Sequence, residues 1–209
     1  MNKIAVFGAT GVTGLCVLKS AIEKGLNIRA LVRNPAKIPK EYEHTVDVIK
    51  GDVLNVQDVN ATLRGQDAAI VLLGMGNILG PTTVMSKGLD NIISGMKAEK
   101  VEVVSVCLSV NLFAEPEKVQ PMFPEIFAEH RRMFDSLKAS GLKWIAVNAP
   151  LISNQPPTGY ITAHTPQSKD SQVFRSTTWP NFSLTVFPCQ NITRNRLESP
   201  ATPERSDKF

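Results

Sequence analysis

Three glycines stand at equal spacing near the start of the chain, in Gly8-Ala9-Thr10-Gly11-Val12-Thr13-Gly14, between an apolar run and a helical pattern. Glycines so placed serve anion chemistry. Gly8 permits a sharp turn out of a strand, Gly11 lets the backbone approach a pyrophosphate, and Gly14 lets the next helix pack closely on the sheet. The N-terminus of that helix offers N–H groups and the positive end of its dipole to the phosphates.

A dinucleotide site selective for NAD carries Asp or Glu at the end of the second strand, about 20 residues past the glycines, to grip a ribose 2′-hydroxyl. Here that place reads Leu31-Val32-Arg33-Asn34, and the next acid is Glu41. Arg33 is placed to take a 2′-phosphate through its planar fork, with Lys37 adding charge. NADPH is the expected cofactor. Gly51-Asp52-Val53 follows the third strand, where an adenine edge would lie. Asp52 can accept from the adenine amino group while the Val53 amide donates to the ring; it reads equally as a loop aspartate or helix cap. Gly74-Met75-Gly76 closes the fourth strand with small residues that let the backbone skirt a cofactor.

Dehydrogenases that act on alcohols and ketones through a tyrosine acid need a lysine four residues later. Tyr42 has Val46 at that spacing and Tyr160 has His164. Carbonyl reduction and sugar epimerisation therefore lack their proton donor. What remains feasible is hydride delivery to an acceptor with its own electron sink, such as a flavin or a tetrapyrrole.

These residues need a scaffold that gathers strand ends, and the pattern supplies one. Residues 3–7, 28–32, 46–49, 68–73, 101–108 and 144–147 read as strands. Residues 12–24, 58–63, 83–97 and 124–140 read as helices, the last repeating Ile126, Phe127, His130, Met133, Phe134 and Leu137 at helical spacing. Strand–helix alternation with strands buried on both faces implies a single doubly wound parallel α/β sheet. Residues 1–165 form the nucleotide-binding domain. Residues 166–209 read as a divergent, partly disordered tail, with short strands expected at Val173-Phe174 and from Phe182 to Phe187.

Composition narrows the class further. At 209 residues the chain has room for one domain, and its 43% hydrophobic and 20% charged residues are ordinary for a globular one. The net charge of +4 is spread too thinly for a nucleic-acid groove. No apolar run reaches a membrane span, and the first glycine comes too early for a signal peptide. Cys16, Cys107 and Cys189 form neither a disulfide framework nor a metal site. A cytoplasmic protein without metal is expected.

Residues 3–165 resemble the flavin reductase (NADPH), or biliverdin-IXβ reductase, family of atypical short-chain dehydrogenases. The stretches that carry the likeness are KIAVFGATGVTG, LVRN, GDVL, GQDAAIVLLG, PTTVMSKG, MKA, SGLKWIAV and QPPTG. The resemblance implies a monomeric cytosolic Rossmann enzyme of heme catabolism that reduces FMN, FAD, riboflavin and IXβ-type biliverdins with NADPH. It assigns Gly8, Thr10, Gly11, Val12, Thr13, Arg33, Asp52, Val53, Leu73, Gly74, Met75 and Gly76 to the cofactor. It puts Ser109 beside the nicotinamide and the substrate, where a hydroxyl can steady a carboxamide or a flavin oxygen; a strand-end serine can equally bond backbone. Cys107 matches as well, as a thiol near the cofactor open to redox chemistry or as an inert buried one. His130 matches a family histidine and sits on an apolar helix face, where a satisfied core histidine is the other reading.

Three positions depart from the family. Leu151 replaces a pocket histidine, Asn111 a phenylalanine and Ala114 a tryptophan. The family also closes with a helix that nothing in 166–209 resembles. Two function classes follow: a reductase of flavins and bilins, and a catalytically weak NADP-binding regulator that senses cofactor redox state.

Overall fold

The computed structural model describes residues 2–75, 81–109, 112, 124–149, 161–162 and 173–175. Six strands run in the expected order: β1 (Lys3–Phe7), β2 (Asn27–Val32), β3 (Val46–Lys50), β4 (Ala68–Val71), β5 (Val103–Ser109) and β6 (Lys143–Ala149). Helices α1 (Val12–Glu23), α2 (Val56–Leu63), α3 (Val84–Ala98) and α4 (Pro124–Ala139) fall between them. Two short strands follow, β7 (Ile161–Thr162) and β8 (Val173–Arg175).

They form one sheet in the order β3-β2-β1-β4-β5-β6-β8-β7. All neighbours pair parallel except β7 with β8. This is the doubly wound Rossmann-like α/β fold. The strand order reverses between β1 and β4, and ligands of such sheets bind at that switch point, outside the carboxyl ends of the strands.

The sheet separates two cores. One face carries Ile4, Val6, Ile28, Ala30 and Ile70 against Val17, Leu18 and Ala21 of α1. The other carries Phe7, Val71, Val104, Val106, Leu108 and Ala146 against α2, α3 and α4. β4 is buried at all four residues, which is why its sequence is an unbroken apolar run rather than an alternating one. Helix α3 buries Met85, Leu89, Ile92, Ile93 and Met96 at helical spacing, each worth about 2 kcal/mol relative to exposure. Gly88 and Gly95 share that buried face and bring α3 close to its neighbours: a Cβ on Gly88 would lie 2.8 Å from Val53 Cγ2. Helix α1 ends as its sequence suggests. Gly25 takes φ +68°, and the N–H groups of Gly25 and Leu26 close on the Ile22 and Ala21 carbonyls.

In the tail, Val173–Arg175 pairs with β6 over residues 146–148. The expected strand at Phe182 to Phe187 lies outside the described residues.

Candidate functional site

The three spaced glycines prove to have different reasons. Gly8 has φ +86°, and a Cβ there would lie 2.3 Å from the Leu72 carbonyl oxygen, so the end of β1 abuts the end of β4. A Cβ on Gly14 would lie 2.2 Å from the Gly8 carbonyl oxygen, so α1 sits directly on the turn. Gly11 is another case. Its φ is −74°, and a Cβ would meet nothing closer than the Gly8 oxygen at 3.6 Å, an ordinary contact. Neither the backbone nor the packing asks for glycine at 11. Gly74 is the same: among the described residues no atom lies within 4 Å of a Cβ placed there. Both positions border the switch point, where a side chain would occupy the space a nucleotide needs. The residues present fit a dinucleotide.

The helix behind this cradle is left open. Gly11 caps α1 without a side-chain hydrogen bond, and no acid occupies the first turn. Val12 is 70% exposed there, with Thr10 and Thr13 half-buried beside it. An apolar side chain exposed at a positive helix end suits a site whose anion comes from a ligand.

Two arginines contrast, Arg29 within β2 and Arg33 just past its end. Arg29 donates to Asp47 at 2.6 Å and to the Ala61 and Arg64 carbonyls at 3.3 and 2.8 Å, so it closes the C-terminus of α2. Arg33 is exposed and pairs with no group among the described residues. Asn34 next to it accepts from the Ala36 N–H at 3.1 Å and caps a short 3-10 turn over Pro35–Lys37, which holds Lys37 exposed on the same loop.

Asp52 serves the loop as well as the edge. One carboxylate oxygen accepts from the Leu54 N–H at 2.9 Å, and the Asp52 N–H donates to Asp58 at 2.9 Å. Asp58 is pressed close, since a Cβ on Gly51 would lie 2.5 Å from its carboxyl carbon. The Val53 carbonyl accepts from Asn91 at 2.9 Å, which ties this loop to α3. Leu73 and Met75 pack on the core of that face, and Gly74 between them is exposed.

Ser109 is the last residue of β5, half-buried, and pairs in register with Ala149 at the end of β6. Cys107, two residues back, is half-buried, and desolvation pushes its thiol up to about 12. That is the wrong direction for a thiolate nucleophile. His130 is a core histidine, 8% exposed, but not a satisfied one: its Nδ1 has no partner. Burial pushes its imidazole down to about 4 against the opposing charge of Glu129. Gly76, Asn111 and Leu151 lie outside the described residues.

Sequence reasoning missed the polar residues of the α3–α4 layer. Glu129 is wholly buried. It accepts from the Ser86 N–H at 2.6 Å and the Ser86 hydroxyl at 3.1 Å, and so caps α3 from another helix. Arg132 donates to the same carboxylate and to the Thr82 carbonyl at 2.9 Å. Together they clamp the first turn of α3, which comes after the Leu73–Met75 stretch in the chain. The signal was present: residue 129 lies on the face of Ile126 and Met133, where a carboxylate interrupts an apolar stripe. Asn148, a polar residue in β6, is also wholly buried.

Among the described residues, no helix is long and apolar enough to cross a membrane, and no group of His, Cys, Asp or Glu could hold a metal ion. Comparison with known proteins supports the fold. An uncharacterized chloroplastic protein of Arabidopsis thaliana is 25% identical over 175 residues, which is 77% of this chain and 62% of that protein. This chain thus spans about three fifths of that relative's length. A short-chain dehydrogenase/reductase (wide type) from Veillonella parvula, solved with NADP, superposes with a TM-score of 0.68 at 15% identity, over 89% of this chain and 85% of that one. An NADPH-dependent quinone oxidoreductase of Escherichia coli, solved with NADPH, gives 0.57 at 22% identity, over 70% of this chain and 48% of that one. At such identities the two structures speak for the fold. The family described as NAD(P)H-binding matches residues 8–178, from the first glycine of the cradle through β8, and the chain belongs to that family.

Proposed function

We propose that this chain is an NADPH-dependent reductase of flavins (FMN, FAD, riboflavin) and IXβ-type biliverdins. The observation that carries the cofactor half is Gly11 with Gly74: two glycines that packing among the described residues does not need, bordering the switch point. The Gly11, Val12 and Thr13 backbone holds the pyrophosphate at the start of α1. Arg33, which pairs with no carboxylate among the described residues, takes the 2′-phosphate. Asp52 and Val53 border the adenine, and the Leu73–Gly76 turn borders the nicotinamide end. When bound, NADPH supplies the hydride.

The acceptor half rests on chemistry that is absent. Without a tyrosine–lysine pair the chain has no built proton donor for a carbonyl, so the acceptor must stabilise the added electrons itself. PTTVMSKG and QPPTG, which resemble the flavin and biliverdin reductases, support the same acceptors. Ser109 orients a carboxamide or flavin oxygen, and the resemblance assigns positions 111 and 151, here Asn111 and Leu151, to the acceptor pocket. Cys107 stays a neutral thiol. The resemblance carries with it a monomer acting in the cytosol; the Arabidopsis relative is chloroplastic, so imaging of the tagged chain decides the compartment.

The test is NADPH oxidation by the purified full chain with FMN and, separately, with biliverdin. Turnover with both is expected. Tight NADPH binding without turnover of any acceptor would replace the reductase by the redox-sensing regulator. Ser109→Ala should lower turnover about tenfold; a loss near a thousandfold would make Ser109 an essential acid or nucleophile.

A further inference from the structure

Asn148 is the penultimate residue of β6, it is 0% exposed, and among the described residues neither Oδ1 nor Nδ2 has a hydrogen-bond partner. Buried polar side chains are nearly always bonded, and an asparagine with both ends unpaired calls for a reason. Its place suggests one. Asn148 pairs in register with Leu108, and the next pair outward is Ser109 with Ala149, at the rim of the sheet. Strand alternation puts Asn148 on the face of Trp144 and Ala146, the face that α4 covers.

A second unpaired atom lies in the same layer. Phe134 of α4 meets the Trp144 ring edge-on at 6.0 Å. Helix α4 links two parallel neighbours and so runs back along β6. From the Phe134–Trp144 contact, His130 is one turn, about 6 Å, nearer the rim. Asn148 is four residues, about 13 Å, nearer the rim. His130 Nδ1 is likewise buried without a partner. Unspent hydrogen-bonding capacity thus collects on one face, below the strand end that carries Ser109.

We propose that Asn148 recognises an amide edge, a carbonyl and an N–H side by side, presented at this rim by a bound ligand. Its Nδ2–H donates to the carbonyl and its Oδ1 accepts from the N–H, so both idle atoms are used at once. A leucine or methionine would suit the apolar surroundings and could make neither bond. Two ligands present such an edge: the nicotinamide carboxamide of the cofactor, and the imide of a flavin or the lactam of a bilin. The second source rests on the reductase reading above; the first rests only on the NAD(P)H-binding family.

Asn148→Leu and Asn148→Met test this in the full-length protein. Either variant should melt at a higher temperature than the unaltered chain without ligand, because two unpaired buried atoms are gone. Either should also lose about tenfold in one of two measurements, the worth of one or two recognition hydrogen bonds. Weaker NADPH binding by titration, with losses shared by all acceptors, assigns the edge to the carboxamide. Unchanged NADPH binding with a loss for lumiflavin that neither 3-methyllumiflavin nor menadione shares, since both lack the N–H, assigns it to the acceptor. Variants that bind NADPH and reduce lumiflavin as well as the unaltered chain would overturn the proposal and leave Asn148 a core residue bonded to a buried water. If the unaltered chain reduces no flavin, the reductase reading falls by itself. The NADPH titration then decides the inference alone: an unchanged dissociation constant overturns it.

Discussion

The two halves of the sheet's carboxyl rim are built from different materials. From β1 to β4 the candidate site is mostly backbone: glycines, an uncapped helix end and the stretch after β4, with the exposed Arg33 and Lys37 as charged side chains beside it. Around β5, β6 and α4 it is buried side chains: Glu129 clamped to Ser86 and Arg132, His130 with an idle nitrogen, and Asn148 with both ends idle. Where a site is made of backbone, the fold tolerates change wherever the protein itself does not fill the space, and the loss falls on the ligand. A site made of buried polar groups depends on every partner, because an unpaired group in the interior keeps its full desolvation cost.

The largest expected effect tests the backbone half from within. Gly14→Ala should destabilise the fold by about 4 kcal/mol, since its Cβ would run into backbone rather than a movable side chain. Gly11→Ala should stay within about 1 kcal/mol of the unaltered chain and yet bind NADPH at least about tenfold more weakly. Urea denaturation and cofactor titration of the two variants separate these outcomes. Equal losses of stability would mean that Gly11 is a packing glycine after all.

The buried clamp should show an asymmetry. Arg132→Ala leaves the Glu129 charge buried with only Ser86 to bond it, and should cost about 3 kcal/mol in urea unfolding. Glu129→Gln keeps an acceptor for Ser86 and releases Arg132, already 43% exposed, to solvent; it should cost about 1 kcal/mol. A reversed order would show that the pair is screened rather than buried.

His130 makes stability depend on pH. In the unfolded chain the imidazole takes a proton near its ordinary value of 6.5, and in the fold it refuses one until about 4. Stability therefore falls as pH falls through that window. Between pH 7 and 5 the loss should be about 2 kcal/mol, with His130→Phe flattening the slope by the same amount. Equal slopes in unfolding curves of the two proteins would remove His130 as the cause.

The smallest effect sharpens the phosphate contact expected of Arg33. NADPH should bind about tenfold tighter than NADH, roughly 1.4 kcal/mol from a charge-assisted phosphate contact, and Arg33→Glu should erase the difference. Equal dissociation constants for the two cofactors in the unaltered chain would end the NADPH assignment.

Much of the first half was legible before any fold was seen. The glycine spacing after an apolar run, the arginine where an acid would stand, and the unbroken run of β4 are local features, and local sterics dictate their consequences. Helix α4 was legible as a helix, and His130 as part of its apolar face. Glu129 escaped because its partner Ser86 lies 43 positions away in the chain, and nothing between them predicts that α3 and α4 meet. The tail shows the same limit: Val173-Phe174 had a strand's composition, while the choice of β6 as its parallel neighbour came from the sheet.

By itself the sequence determined a dinucleotide cradle, a parallel sheet and the lack of a tyrosine–lysine acid. Each follows from what one residue's backbone can do or from a period along the chain. Only the tertiary structure decided which glycines the protein needs for itself and which it leaves to a ligand. It alone shows that a glutamate caps a distant helix and that an asparagine near the end of β6 is buried with its amide unpaired among the described residues. Those properties depend on what lies within a few ångströms across the fold, and distance across the fold is not a function of distance along the chain.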